Sequence, residues 1–469
     1  MKYYSSRAAK YFGAEENKKE NKTEQISRAE RFVESENKQL YRDIYKKQVE
    51  LLPPRLNIDL NDSRRLPYKY FKMTNQDRFY QEYAKFVHIG QRKLAMCEIQ
   101  HLTECLDSKD EYAIVIYAGS APTNKCWMEH LMFPNLKFLL VDPNMFNIYI
   151  STYRDSHYYH TDSDTITYFG NSKTNFNPRY EVTSFGIRYF DGKNVININD
   201  KYADNAPEVD VIGDISKRDE WKNYVDYFYK GPEYIYINEN YFGNGTAEFC
   251  KQLIDGRSGN YKDCKVIFWC DLRTNSTDTS APGDLDILWN HAMMYNWIKV
   301  MIPDYCMLKF RCPFVMKDPA TLDYASHQED FDIAAKNGND FVSNYLETNN
   351  MRFYQGKIYT QCWEDRDSAE TRLWLTKDDY DSLVEYDRIA FEEVIYYYNH
   401  FERIGLKHEN PHIYSEIGSD RCGDCAIEGH IWKRYQEKMN PSFDVKWWMN
   451  WLCEITTRSL TRGGHGLFL

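Results

Sequence analysis

The chain has 469 residues, 42% of them hydrophobic and 16% aromatic, with 39 tyrosines. That is enough for a sizeable core and excludes a largely disordered protein. Its 59 basic residues are outnumbered by 70 acidic ones, giving a formal net charge of −11, which excludes coating nucleic acid through global charge but leaves room for a local basic cleft.

Lys69-Tyr70-Phe71-Lys72 and Arg92-Lys93 are candidate contributors to such a cleft. No apolar run approaches the roughly 20 residues of a membrane span. Met1 to Arg7 is not followed by an apolar h-region, so no secretory signal is expected. The 12 cysteines are scattered through strand-like segments, as Cys264, Cys270 and Cys306 are, a pattern of buried thiols in a reducing compartment.

In chain order, residues 14–25 lack any large apolar side chain and are expected to be disordered or a loose solvated helix. Phe32, Leu40, Tyr41 and Tyr45 recur at helical spacing, and Pro53-Pro54 ends that segment. We read residues 1–80 as an N-terminal arm. From Ala113 the pattern alternates between strands and helices. Strands are predicted at 113–118, 136–141, 209–212, 234–237, 265–270 and 307–310, with helices near 127–132 and 285–300. Leu288, His291, Ala292, Tyr295 and Ile298 share one face of the last helix. Strands that are apolar throughout imply a parallel sheet with helices on both faces, an α/β Rossmann-like fold. Ligands bind such sheets beyond the strand C-terminal ends, which carry Gly119, Asp142, Asp214, Asp271 and Lys309. Residues 147–205, rich in Tyr, Asp and Asn, read as an insertion in a domain spanning 81–400. Residues 401–469 form a C-terminal extension.

Tyr117-Ala-Gly119-Ser120-Ala-Pro122 follows the first strand. A glycine there lets the backbone turn tightly and approach a ligand. Asp142, ending the second strand, can accept from both hydroxyls of a ribose. With no full GxGxxG pattern, a nucleoside cofactor fits better than a dinucleotide. Lys309-Phe-Arg311-Cys-Pro-Phe314 sets a lysine beside an aromatic residue and a Pro-Phe corner. Burial in such a place lowers a lysine pKa toward neutrality, which an amine needs to act as a base.

The chain resembles the poxvirus cap-specific mRNA nucleoside-2′-O-methyltransferase family, whose members also serve as the regulatory small subunit of the viral poly(A) polymerase. The matching segments are His88-Ile-Gly-Gln91-Arg-Lys93-Leu, Val115-Ile-Tyr117-Ala-Gly119-Ser-Ala-Pro122, Val141-Asp142, Cys270-Asp271-Leu-Arg273, Leu308-Lys309-Phe-Arg311-Cys-Pro-Phe314 and Ser368-Ala-Glu370-Thr-Arg372-Leu. They occur in the family's order and cover roughly residues 83–400.

The resemblance implies an S-adenosylmethionine-dependent methyltransferase acting on the ribose 2′-hydroxyl of the first nucleotide of m7G-capped mRNA. It also implies a catalytic tetrad of Lys93, Asp271, Lys309 and Glu370. Lys309 would be the base, Asp271 and Glu370 would position it, and Lys93 would help lower its pKa. Gln91, Tyr117, Gly119, Ser120, Pro122, Asp142, Asp271 and Leu272 would line the cofactor, with Asp214 and Ile215 near its adenine. Phe314 would stack on the cap and Glu392 accept from its guanine edge, with Tyr70 or Phe71 as the second ring. The implied partners are capped mRNA and a viral poly(A) polymerase catalytic subunit; a processivity subunit for that polymerase is the alternative function. The implied setting is the host cytoplasm or a virion of a large DNA virus.

Three positions depart from the family. Thr123 replaces a glycine, Asn144 replaces a basic residue, and Met316 replaces an acid, with Asp318 two residues on. Cys422-x-x-Cys425 with His430 has zinc-like spacing but no second CxxC. With only His412 or Cys453 as further donors, we read these cysteines as loop thiols and assign no metal.

Overall fold

The computed structural model describes residues 50–66, 89–121, 123, 125–144, 146–149, short strands between 158 and 188, 209–211, 215, 217–231, 234–238, 240–274, 283–313, 327–364, 368–450 and 452. Nine strands form one sheet: β1 (Asn57–Ile58), β2 (Ala113–Ala118), β3 (Leu136–Val141), β4 (Val209–Val211), β5 (Ile235–Asn238), β6 (Lys265–Cys270), β7 (Tyr305–Phe310), β8 (Lys357–Tyr359) and β9 (Thr371–Thr376). Their spatial order is β1-β8-β9-β7-β6-β2-β3-β5-β4. The run from β4 to β7 is parallel. The pairings β7–β9, β9–β8 and β8–β1 are antiparallel. The protein is therefore a mixed α/β fold on a mostly parallel sheet.

The strand sequences dictate this burial. β2 and β3 are buried at every position, as expected of strands covered on both faces. Neighbouring residues of β6 show the two layers. Trp269 donates from Nε1 to His101 Nδ1 at 3.1 Å, on helix α1 (Ile89–Cys105). Phe268 packs instead on Phe242, which packs on Trp297 of helix α2 (Asp284–Met301).

α2 was expected to bury one face, yet thirteen of its residues are buried. The helix Gln328–Lys336 covers its outer side, where Asp330 accepts from Trp289 Nε1 at 2.7 Å and, through its carbonyl, from Asn296 at 2.9 Å. Among the described residues no helix is long and apolar enough to cross a membrane.

Residues assigned to the arm and the extension join the same body. β1 pairs with β8 at the sheet edge. Helix α4 (Gly423–Lys438) lies against α1, where Arg92 and Glu428 pair bidentately at 2.8–3.1 Å, both buried. In the predicted insertion, Phe146–Tyr149, Tyr158–Asp162, Thr165–Phe169 and Lys173–Phe176 form a separate antiparallel sheet. Residues 1–49, with the expected helical stretch, lie outside the described residues.

Chain order reverses between β2 and β6: β3, β5 and β4 lie on one side, β6 and β7 on the other. The crevice past the C-terminal ends of β2 and β6 is where such sheets bind ligands.

Candidate active site

Four separate elements converge at that crevice. Lys93 comes from α1, Asp271 from the residue after β6, Lys309 from β7, and Glu370 from the residue before β9. Lys309 Nζ lies 3.3 Å from Asp271 Oδ1 and 3.2 Å from Glu370 Oε2. Lys93 Nζ lies 3.2 Å from Glu370 Oε1. The structure thus brings together all four residues of the expected tetrad.

Three further residues complete the cluster. Arg372 Nη1 donates to Asp271 Oδ1 at 2.7 Å, and Nη2 lies 3.7 Å from Glu370 Oε1. Glu364 Oε2 accepts from Lys93 Nζ at 2.7 Å. Gln361 links them: Oε1 accepts from Arg372 Nε at 3.0 Å, and Nε2 donates to Glu364 Oε2 at 2.9 Å. Lys309 and Arg372 sit directly opposite on β7 and β9, a like-charge pairing that costs energy unless compensated. Asp271 and Glu370 supply the compensation.

Lys93, Lys309 and Arg372 carry three positive charges; Asp271, Glu370 and Glu364 carry three negative ones. The balance sets the titration. Burial would raise the Glu370 carboxyl, but Lys309, Lys93 and Arg372 hold it well below the usual range. Asp271 is lowered likewise, its burial outweighed by Lys309 and Arg372. Burial opposes the charge on Lys93, yet Glu364 and Glu370 raise its pKa above the ordinary lysine value. Lys93 is thus held as a cation.

Beside this cluster runs the glycine turn. Gly119 has φ +74°, and a Cβ there would lie 2.8 Å from Leu272 N, so the turn after β2 packs directly on the residue pair after β6. Thr123 adopts φ +43°. This is left-handed backbone, at the strain a branched side chain brings there.

Asp142 is buried, and burial raises its carboxyl. Oδ2 accepts from Ala121 N at 3.1 Å, while Oδ1 accepts from Asn144 N and Nδ2 at 2.8 and 2.9 Å. The non-basic Asn144 therefore orients the acid. Ser120 Oγ is buried and has no hydrogen-bond partner among the described residues. A tight cradle, an orphan hydroxyl and an oriented carboxylate with acceptor capacity left on Oδ2 fit a nucleoside-bearing cofactor.

Tyr117 sends its side chain elsewhere. Its hydroxyl donates to Glu98 Oε1 at 2.6 Å, and Lys125 Nζ approaches the same oxygen at 3.0 Å. Gln91, two residues before Lys93 on α1, is buried, and Leu272 is half-buried. Ile215 is buried, with its carbonyl accepting from Trp221 Nε1 at 2.6 Å. Glu392 is buried on α3 (Arg388–Tyr397), and its Oε1 has no partner among the described residues. Burial pushes its carboxyl up to about 7, with Arg388 opposing. Pro122, Asp214, Phe314, Tyr70, Phe71, Met316 and Asp318 lie outside the described residues.

No family model and no curated protein sequence matches this chain. Arg372 stood within a segment already singled out, and its i, i+2 relation to Glu370 puts both on one face of an extended chain. Glu364 and Gln361 carried no such signal, because a loop fixes them.

Proposed function

We propose that this protein transfers a methyl group from S-adenosylmethionine to the ribose 2′-hydroxyl of the first transcribed nucleotide of capped RNA. The observation that carries the reading is the convergence of Lys93, Asp271, Lys309 and Glu370 in one ion-pair network beside the Gly119 turn.

S-adenosylmethionine, when bound, supplies an electrophilic methyl on a sulfonium. The chain's own residues position and deprotonate the acceptor. Lys309 Nζ is the group placed to take the hydroxyl proton. Asp271 and Glu370 fix that nitrogen from two sides at 3.2–3.3 Å. Arg372 and Lys93 neutralise the same carboxylates and keep them in place. Asp142 and the 119–121 backbone are the groups to hold a nucleoside. Catalysis of this kind rests on positioning plus general-base transfer, the latter worth about 10²–10⁴-fold.

The test is methyl transfer to m7G-capped and uncapped RNA of one sequence. Transfer to the 2′-hydroxyl of the capped RNA is expected, with Lys309→Ala lowering kcat at least about 100-fold while S-adenosylmethionine still binds. Full activity in that variant removes Lys309 from the mechanism. Absence of both cofactor binding and transfer in the unaltered chain removes the reading itself.

A further inference from the structure

The cluster Asp420, Cys422 and Cys425 lies away from the ion-pair network, at the N-terminus of α4. One ligand atom from each falls within 4.8 Å of the others. A tetrahedral zinc with Zn–S near 2.3 Å and Zn–O near 2.0–2.2 Å puts its donor atoms roughly 3.5–3.8 Å apart. The three donors therefore need to close by only about an ångström.

The backbone prepares them for it. Cys422 is the N-cap of α4, and its Sγ accepts from Cys425 N at 3.5 Å. Asp420 Oδ1 accepts from Cys422 N at 2.8 Å, which holds the exposed carboxylate beside the two thiols. Cys425 is buried beneath them, against the carbonyl of Gly418, which turns the chain back at φ +75°. Gly423, between the cysteines, meets the backbone of Arg403: a Cβ there would lie 2.2 Å from Arg403 O. The Cys-Gly-Asp-Cys loop is thus seated tightly, and its donor geometry is fixed rather than incidental. None of the described cysteines is in a disulfide.

We infer that Asp420, Cys422 and Cys425 bind a zinc ion, with solvent in the fourth position. Two thiolates select a borderline-soft divalent cation over calcium or magnesium, and the carboxylate completes an S2O set. His430, the sequence's own candidate third ligand, is turned away, with Nε2 on Glu409 O at 3.2 Å. Asp420 takes its place.

The ion would pin the loop before α4 to the helix end. The next residue inside the helix, Asp424, accepts from Trp363 N at 2.7 Å and from Arg403 Nη1 at 2.7 Å. Trp363 adjoins Glu364, the partner of Lys93. The zinc site thereby supports the frame of the active cluster without entering it.

The test is elemental analysis of the full chain, followed by Co2+ titration of the metal-free protein. One zinc per chain is expected, with thiolate-to-cobalt charge transfer and the strong visible bands of tetrahedral Co2+. Cys422→Ser and Cys425→Ser should lose both. Asp420→Asn keeps the bond to Cys422 N but removes the anionic donor. It should weaken Zn2+ in chelator competition by at least the roughly 10–100-fold that loss of an outer-sphere partner costs. Should the cysteine variants fail to fold, the unaltered chain and Asp420→Asn still decide. Protein isolated without zinc that gives no charge-transfer band with Co2+ overturns the inference, as does Zn2+ affinity unchanged in Asp420→Asn. None of these readouts depends on methyl transfer.

Discussion

At the scale of single residues, two positions make separable predictions. Glu392 carries a carboxyl raised from 4.5 to about 7 by burial. Its folded pKa lies above its unfolded one, so its contribution to stability is present below about pH 4.5 and is lost as pH rises through 7. If Glu392 takes the guanine-edge position that the resemblance implies, the sign reverses for cap binding, because only the ionised carboxylate accepts two hydrogen bonds from a guanine edge. Affinity for a 7-methylguanosine cap analogue should therefore strengthen as pH rises through about 7. Glu392→Gln should flatten the Glu392-dependent part of that profile, and titrations of both proteins at pH 6 and 8 check it. An identical pH response in the two would remove Glu392 from the cap site. Gly119 is the second case. Gly119→Ala meets Leu272 N at 2.8 Å and carries φ +74°. It should cost about 1–3 kcal/mol in chemical denaturation and lose cofactor binding more than the Lys309 variant does, since the turn itself must shift.

Among elements, α4 is the brace of the site. Glu428 is fully buried and serves Arg92, Trp363 Nε1 at 2.9 Å and Trp432 Nε1 at 3.3 Å at once. Glu428→Ala leaves a buried guanidinium without its carboxylate, so about 3–5 kcal/mol of destabilisation is expected in urea unfolding. A loss under 1 kcal/mol would show that the Arg92–Glu428 pair adds little to what apolar packing and the Arg434–Glu104 and Lys438–Thr103 links already hold. That brace was not legible in the sequence, because a helix pair so joined shows only two ordinary charges 336 residues apart. The parallel strands were legible: β2 is a continuous apolar run of six residues, β3 and β6 are apolar but for Lys137 and Lys265, and their ends place Gly119, Asp142 and Asp271. β8 and β9 were missed. β9 has only three apolar residues in a row, Leu373 to Leu375, with Glu370, Thr371 and Arg372 before them, and an arginine there reads as a loop end until Asp271 and Glu370 are seen beside it. Likewise, Lys93 and Glu370 entered only through family resemblance, since nothing in local periodicity sets a helix lysine against a loop carboxylate.

Across the whole molecule, buried titratable groups on both sheet faces fix how stability responds to acid. Burial lowers His101 and His291 to about 3 and His130 to about 4. Their folded pKa values lie below the unfolded 6.5, so each takes up a proton on unfolding once pH falls below 6.5, and stability is lost. Glu392 and Glu129 act in the opposite sense. Burial raises both, with Glu98 adding to the rise at Glu129. Glu392, raised to about 7, is protonated when folded between pH 6 and 5 and releases its proton on unfolding, and Glu129 is raised in the same direction. Burial also lowers His412 and His430, so the histidines taking up protons outnumber the glutamates releasing them. Stability should fall from pH 6 to pH 5. Below about pH 4.5 the two glutamates bind their protons in both states and stop opposing. Asp271 and Glu370, depressed by Lys309 and its cationic neighbours, then begin to take up protons on unfolding as well. The decline must steepen there, to several protons per chain. Urea unfolding free energies at pH 7, 6, 5 and 4 measure the slope directly. A flat profile down to pH 5 followed by a steep fall would mean that the histidines carry less of the acid sensitivity than the ion-pair network. A steep fall already at pH 6 would mean that Glu129 and Glu392 do not hold their protons.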